Sequence, residues 1–160
     1  MIRVLYPGTF DPPTNGHLDI ITRASRIFDE MLIVIADNPH KSCFFTADER
    51  YKMLEQLVSD FDNIHLHIWN GLIVDFAEKM GVRVILRGVR ALSDFGYEFE
   101  LSLLNKSLNS NIETILLPTD KKYFILRSSS IKELAMFDGD ISEMVPPVVV
   151  KALKEKLKKT

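Results

Sequence analysis

The segment Tyr6-Pro7-Gly8-Thr9-Phe10-Asp11-Pro12-Pro13-Thr14-Asn15-Gly16-His17 carries the most chemistry per residue in this chain. A short apolar run precedes it, and a helical pattern (Leu18, Ile20, Ile21, Ala24, Ile27, Phe28) begins where it ends. A strand, a turn punctuated by glycine and proline, and a helix N-terminus together make an anion site, because free backbone N–H groups and the helix dipole face one point. Gly16 lets the backbone approach a phosphate closely, and His17 places a side-chain donor where negative charge would develop during group transfer. A lone histidine at a helix start would more simply bond backbone or solvent. The Thr14-x-Gly16 context and the Gly8-to-Pro12 turn are what favour the chemical reading.

Other polar residues recur where the apolar runs stop. Lys41 lies in Asn38-Pro39-His40-Lys41-Ser42 after the second run, and Arg87-Gly88-Val89-Arg90 follows the fourth. Lys121-Lys122-Tyr123 and Arg127-Ser128-Ser129-Ser130 follow the fifth. In an open α/β sheet these positions converge on the rim where ligands bind. That rim is locally basic in a chain of formal net charge −2, which gives no global electrostatic reason for nucleic-acid binding. Arginines ending a buried strand call for an anion or a carboxylate. Anion contact is favoured for Arg87 and Arg90, with Asp94 and Glu98 as alternative ion-pair partners. Ser128, Ser129 and Ser130 are expected to cap a helix. His65 and His67 read as exposed edge-strand residues, since no acidic or cysteine ligand stands near them in sequence. No metal site is expected.

The elements that must position these residues alternate in type. Strand-like runs are Val4–Tyr6, Met31–Ala36, Ile64–Ile68, Val82–Leu86 and Thr114–Leu117. Most are continuously apolar, as in strands buried on both faces of a parallel sheet; the third alternates and suits an edge. Thr46-Ala47-Asp48-Glu49 reads as a capping box, followed by a stripe of Met53, Leu54, Leu57 and Val58. Val74–Met80 stops at Gly81, and Phe95–Leu108 is a long amphipathic stretch. Pro146-Pro147 opens a last helix that ends in a solvated run from Lys154 to Lys159. The expectation is an α/β fold with a doubly wound, five-stranded parallel sheet, in a single domain over residues 1–160. Cys43 is the one cysteine, so no intrachain disulfide forms. No apolar run approaches the ~20 residues of a membrane span, and no signal-type segment opens the chain. A cytoplasmic location is the expectation.

The Thr14-x-Gly16-His17 ending resembles the T/HxGH signature of the nucleotidyltransferase superfamily, which has a Rossmann-like fold. The stretches YPGTFDPPTNGHLDII, HKSCFFTADER, LRGVRALSDFGYEFEL and SSSIKEL resemble the phosphopantetheine adenylyltransferase family over nearly the whole chain. The resemblance implies transfer of the adenylyl group of ATP to 4′-phosphopantetheine, giving dephospho-coenzyme A and pyrophosphate. By position it implies phosphopantetheine contacts from Thr9, Lys41, Ile73 and Arg87. It implies ATP contacts from Thr9, Phe10, His17, Gly88, Val89, Arg90 and Glu98, and from the loop Tyr123, Phe124, Ile125, Leu126, Arg127, Ser128 and Ser129. His17, Lys41 and Arg90 are the implied catalytic residues. Mg²⁺ accompanying ATP and a homohexameric assembly are implied too. Arg127 stands where the family's loop carries its first serine. An acceptor other than phosphopantetheine and a nucleotide sensor without turnover are the rival readings. The Arg87-to-Glu98 segment argues against the first, and His17, Lys41, Arg87 and Arg90 together argue against the second.

Overall fold

The computed structural model describes residues 1–158, so Lys159 of the expected solvated tail lies outside the described residues. Five parallel strands form one sheet in the order β3-β2-β1-β4-β5. They are β1 (Arg3–Gly8), β2 (Glu30–Ala36), β3 (Ile64–Trp69), β4 (Val84–Val89) and β5 (Glu113–Pro118). The helices are α1 (Asn15–Ala24), α2 (Ala47–Val58), α3 (Ile73–Met80), α4 (Leu92–Leu108), α5 (Ser128–Met136) and α6 (Pro147–Leu157), with a 3₁₀ turn over Lys121–Tyr123. Side chains alternate along each strand, so β1 and β2 serve two cores. Val4, Tyr6, Met31, Ile33 and Ile35 meet Ile20, Ile21 and Leu54 of α1 and α2. Leu5, Leu32, Val34 and Ile85 meet Phe76 and Ala77 of α3 on the other face. A third cluster, with Phe45, Met53, Leu126, Ile131, Val149 and Leu153, seats α5 and α6 against α2.

The chain winds outward from β1 through β2 to β3, then returns to place β4 on the opposite side of β1. Strand order reverses there, which is where open α/β sheets bind ligands. The β1–β4 ladder is short: only Val4↔Val84 and Leu5↔Ile85 are in register, whereas β1 and β2 match from Arg3↔Glu30 to Gly8↔Ile35. Past Leu5 and Ile85 the two strands part, leaving a crevice at their carboxyl ends.

Several local expectations hold. Thr46 caps α2 in a reciprocal box with Glu49, Gly81 ends α3 with φ of 65°, and β3 is an edge strand. Others are corrected. β4 continues to Val89, so Arg87, Gly88 and Val89 belong to the strand and Val82 to the preceding turn. α1 stops at Ala24, and Ile27 is exposed. The serines Ser128–Ser130 form the first turn of α5 rather than capping it; Arg127 is the N-cap, with no side-chain cap bond. The Ser128 hydroxyl instead donates to the carbonyl of Pro12 at 2.9 Å.

Candidate active site

A cavity of about 710 Å³ opens at the carboxyl ends of β1 and β4. Thr9, Phe10, His17, Lys41, Arg87, Gly88, Arg90, Glu98, Leu126, Arg127, Ser128 and Ser129 all line it. Five expected site residues do not. Ile73 packs on the α3 core, Val89 is buried at the end of β4, and Tyr123 packs against the α5–α6 core. Phe124 and Ile125 are exposed beyond the cavity wall.

The turn after β1 is built around Phe10. Its φ is 51°, which folds the ring back under the strand, where it makes edge contacts with Tyr6 and His17. A Cβ on Gly8 would stand 2.7 Å from that ring, so only glycine fits. Thr14 then caps α1 in a box whose third helical residue is His17 itself. The Thr14 hydroxyl accepts the His17 N–H at 3.3 Å, and His17 Nδ1 accepts the Thr14 N–H at 3.0 Å. A histidine whose Nδ1 accepts carries its proton on Nε2. Burial, reinforced by the charges of Arg90 and Arg87, pulls the His17 pKa down to about 4. The site therefore holds a neutral imidazole with one N–H left to give.

Five cations surround the cavity, and three are already paired. Arg87 donates from Nε and Nη2 to both oxygens of Glu98, at 2.7 and 2.8 Å, and from Nη1 to the carbonyl of Pro7 at 2.8 Å. Arg90 donates to Asp94 at 2.9 Å and to the Leu126 carbonyl at 2.6 Å. Lys132 donates to Asp11 at 2.7 Å. The ion-pair role that sequence ranked second for Arg87 and Arg90 is thus present in the structure. Lys41 and Arg127 have no ion-pair partner among the described residues. They come from opposite sides of β1, one from the loop after β2 and one from the segment after β5.

Two positioning residues escaped the sequence reading. Asp11 is buried; its carboxylate accepts the N–H groups of Phe44 and Phe45 at 2.9 and 2.8 Å besides Lys132. Burial alone would raise its pKa, but the Lys132 and backbone hydrogen bonds hold it below the ordinary value. Asp11 therefore ties the loop after β1 to the Lys41 loop and to α5. Arg50 is 1% exposed, and holds the carbonyl of Thr9 at 2.9 Å and the carboxylate of Asp37 at 2.7 Å. Its signal was its position on the buried stripe of α2 with Met53, Leu54 and Val58, where a charge needs partners.

The cytidylyltransferase-like family pattern matches residues 5–134. Phosphopantetheine adenylyltransferase of Staphylococcus haemolyticus is 48% identical over 157 residues, covering 98% of each chain. That of Alkaliphilus metalliredigens is 45% identical over 152 residues, covering 95% of this chain and 97% of the relative. Among solved structures, Plasmodium falciparum nicotinic acid mononucleotide adenylyltransferase complexed with NaAD aligns with a TM-score of 0.71 at 15% identity, covering 97% of this chain and 96% of that one, a likeness of fold. A full-length match at this level of identity, on a parallel sheet whose switch-point cavity holds a T-x-G-H histidine, shows that the chain belongs to the phosphopantetheine adenylyltransferase family of cytidylyltransferase-like nucleotidyltransferases.

Proposed function

We propose that this chain transfers the adenylyl group of ATP to 4′-phosphopantetheine, releasing pyrophosphate and dephospho-coenzyme A in coenzyme A synthesis. The observation that carries the mechanism is the neutral His17, with Nδ1 occupied by Thr14 and its Nε2–H free. A phosphate oxygen of the acceptor attacks the α-phosphorus of ATP in line. The new P–O bond forms as the bond to the β-phosphate bridging oxygen breaks, and pyrophosphate leaves with that electron pair. No protein nucleophile takes part, so rate comes from positioning and charge stabilisation. His17 donates from Nε2 to an α-phosphate oxygen as charge grows there. Lys41, with Thr9 and Arg87, orients the attacking phosphate, while Arg90, Arg127, Ser128 and Ser129 hold the leaving group.

Magnesium fits as a companion of the nucleotide. The cavity carboxylates Asp11 and Glu98 are bonded to Lys132 and Arg87, so a hard cation would take its oxygens mainly from the triphosphate and water. Bound there, it offsets phosphate charge. A homohexamer is proposed from the outer face of α4, where Phe95 and Phe99 stack with centroids 6.1 Å apart and Leu103, Leu104 and Leu108 are exposed. Cytoplasmic location is proposed as well. No helix among the described residues is long and apolar enough to cross a membrane.

The decisive experiment measures pyrophosphate release from ATP with a panel of phosphorylated acceptors. Turnover with 4′-phosphopantetheine far above that with nicotinate mononucleotide supports the reading; turnover confined to another acceptor overturns it.

A further inference from the structure

One lysine of the last helix does not sit as the sequence suggests. The run from Lys154 to Lys159 reads as solvated, and Lys151, Lys154 and Lys158 are exposed. Lys156 instead extends the buried stripe of Val149 and Leu153 by one turn, at the helical spacing i, i+4, i+7, and its side chain is 28% exposed. Val149 and Leu153 are shut into the core that seats α6, so the backbone beneath Lys156 is firmly held.

Burying most of an ammonium calls for partners, and three of them surround one short segment. Lys156 Nζ donates to Glu49 Oε2 at 2.5 Å and stands 5.9 and 5.3 Å from the ring centroids of Phe44 and Phe45. The same Glu49 oxygen accepts the N–H of Thr46 at 2.8 Å, closing the capping box of α2. Burial would raise the Glu49 pKa, but the Lys156 and Thr46 bonds hold it below the ordinary value, so the carboxylate stays charged opposite the ammonium. Residues 44–46 are thus gripped from two sides. Asp11 takes the backbone N–H groups of Phe44 and Phe45 from the β1 side. Lys156 takes their rings, and through Glu49 the start of α2, from the α6 side.

What the grip serves lies three residues upstream. Lys41 belongs to the same loop, is exposed, and has no ion-pair partner among the described residues. Its side chain takes its aim from the loop's backbone, and that backbone is anchored where it enters α2. A leucine would complete the α6 stripe; the ammonium adds a hold on the loop. We infer that Lys156 is a positioning residue for the acceptor: from α6, through Phe44, Phe45 and Glu49, it fixes the path of the loop that carries Lys41. The inference rests on the adenylyl-transfer reading above, in which Lys41 orients the attacking phosphate. A misplacement of about 1 Å in such a group is enough to cost a large factor.

Lys156→Met keeps the stem and removes the charge, Lys156→Arg keeps the charge, and Glu49→Gln keeps the capping box while neutralising the partner. Steady-state kinetics with ATP and phosphopantetheine, beside amide exchange of the ligand-free proteins, test the assignment. In Lys156→Met and Glu49→Gln the KM for phosphopantetheine should rise roughly three- to tenfold, the scale on which residues of one network couple. The KM for ATP stays within about twofold, and Lys156→Arg leaves the acceptor KM near the wild-type value. Exchange across residues 38–46 quickens while that of β2 does not change. On a Lys41→Ala background, Lys156→Met adds less than about twofold to the acceptor KM, because the lysine it positions is gone. An unchanged acceptor KM, an equal rise for both substrates, full additivity with Lys41→Ala, or unchanged exchange overturns the inference. Glu49→Gln decides the matter if Lys156→Met fails to fold. Wild-type protein that turns over no phosphopantetheine refutes the adenylyl-transfer reading instead, and exchange across residues 38–46 still decides whether Lys156 holds the loop.

Discussion

His17 Nδ1 accepts the backbone N–H of Thr14 at 3.0 Å, so the residue that caps α1 also sets the tautomer of a histidine that lines the cavity. One hydrogen bond joins helix initiation to chemistry. Replacing His17 with Ala removes the free Nε2–H. Turnover should fall ~10²–10³-fold, the usual effect of losing one such donor, while ATP affinity changes little. Rapid-quench measurement of adenylyl transfer beside calorimetric ATP binding checks this. Near-normal turnover would remove His17 from the mechanism.

The same residue predicts the acid behaviour. His17 has a folded pKa of about 4 against an ordinary value of 6.5. Its neutral form is therefore bound more tightly by the fold, and the unfolded chain takes up more protons between those values. Its contribution to stability is complete above pH 6.5 and is lost as pH falls toward about 4. Chemical denaturation from pH 7.5 to 4 should show this fall in wild type, and a shallower slope in His17→Gln. The pH–rate profile should lack an inflection near 6.5.

Of the five cavity cations, Lys41 and Arg127 have no ion-pair partner among the described residues, so their loss should act on ligands rather than on folding. Lys41→Ala should raise the KM for phosphopantetheine by roughly tenfold or more, since one charge-assisted hydrogen bond is lost, and leave ATP binding intact. Isothermal titration that finds ATP binding abolished and acceptor binding kept would reverse the assignment.

Arg127→Ser should do the converse. It raises the KM for ATP and weakens product inhibition by pyrophosphate, with the acceptor little affected. Pyrophosphate inhibition constants are the direct readout. If they do not change, the Arg127 guanidinium faces solvent and only its backbone belongs to the site.

Asp11→Asn keeps one acceptor oxygen where Asp11 meets the N–H groups of Phe44 and Phe45 with separate oxygens, and it loses the charge facing Lys132. The Lys41 loop and α5 should loosen together, raising the KM for both substrates. Hydrogen exchange across residues 38–46 and 128–136 should quicken in step. Faster exchange in only one segment would show that Asp11 does not link them.

Much of the fold was legible because strands buried on both faces are continuous apolar runs, and because Thr46-to-Glu49 and Gly81 are strong local signals. The end of β4 was not. Arg87 looked like a residue beyond the strand because it is charged, yet it continues the strand by turning its guanidinium onto Glu98 and the Pro7 carbonyl. α4 misled in another way. Phe95–Leu108 reads as a long amphipathic stretch, but the one buried residue of the helix is Glu98, 8% exposed. At the site, motif residues were visible from type and spacing. Asp11 and Arg50 act through partners distant in sequence, so no spacing announces them.

The short β1–β4 ladder has a mechanical meaning. Lys41 and the Phe44–Phe45 loop belong to the half of the sheet beyond β1, whereas Arg87, Arg90 and Arg127 follow β4 and β5. The halves share a seam with only two matched residue pairs. Substrates lying across that seam would work as a clasp, tying together strands that the backbone leaves apart. The bisubstrate complex should then be stiffest where the free protein has least ladder, along residues 6–8 and 86–89.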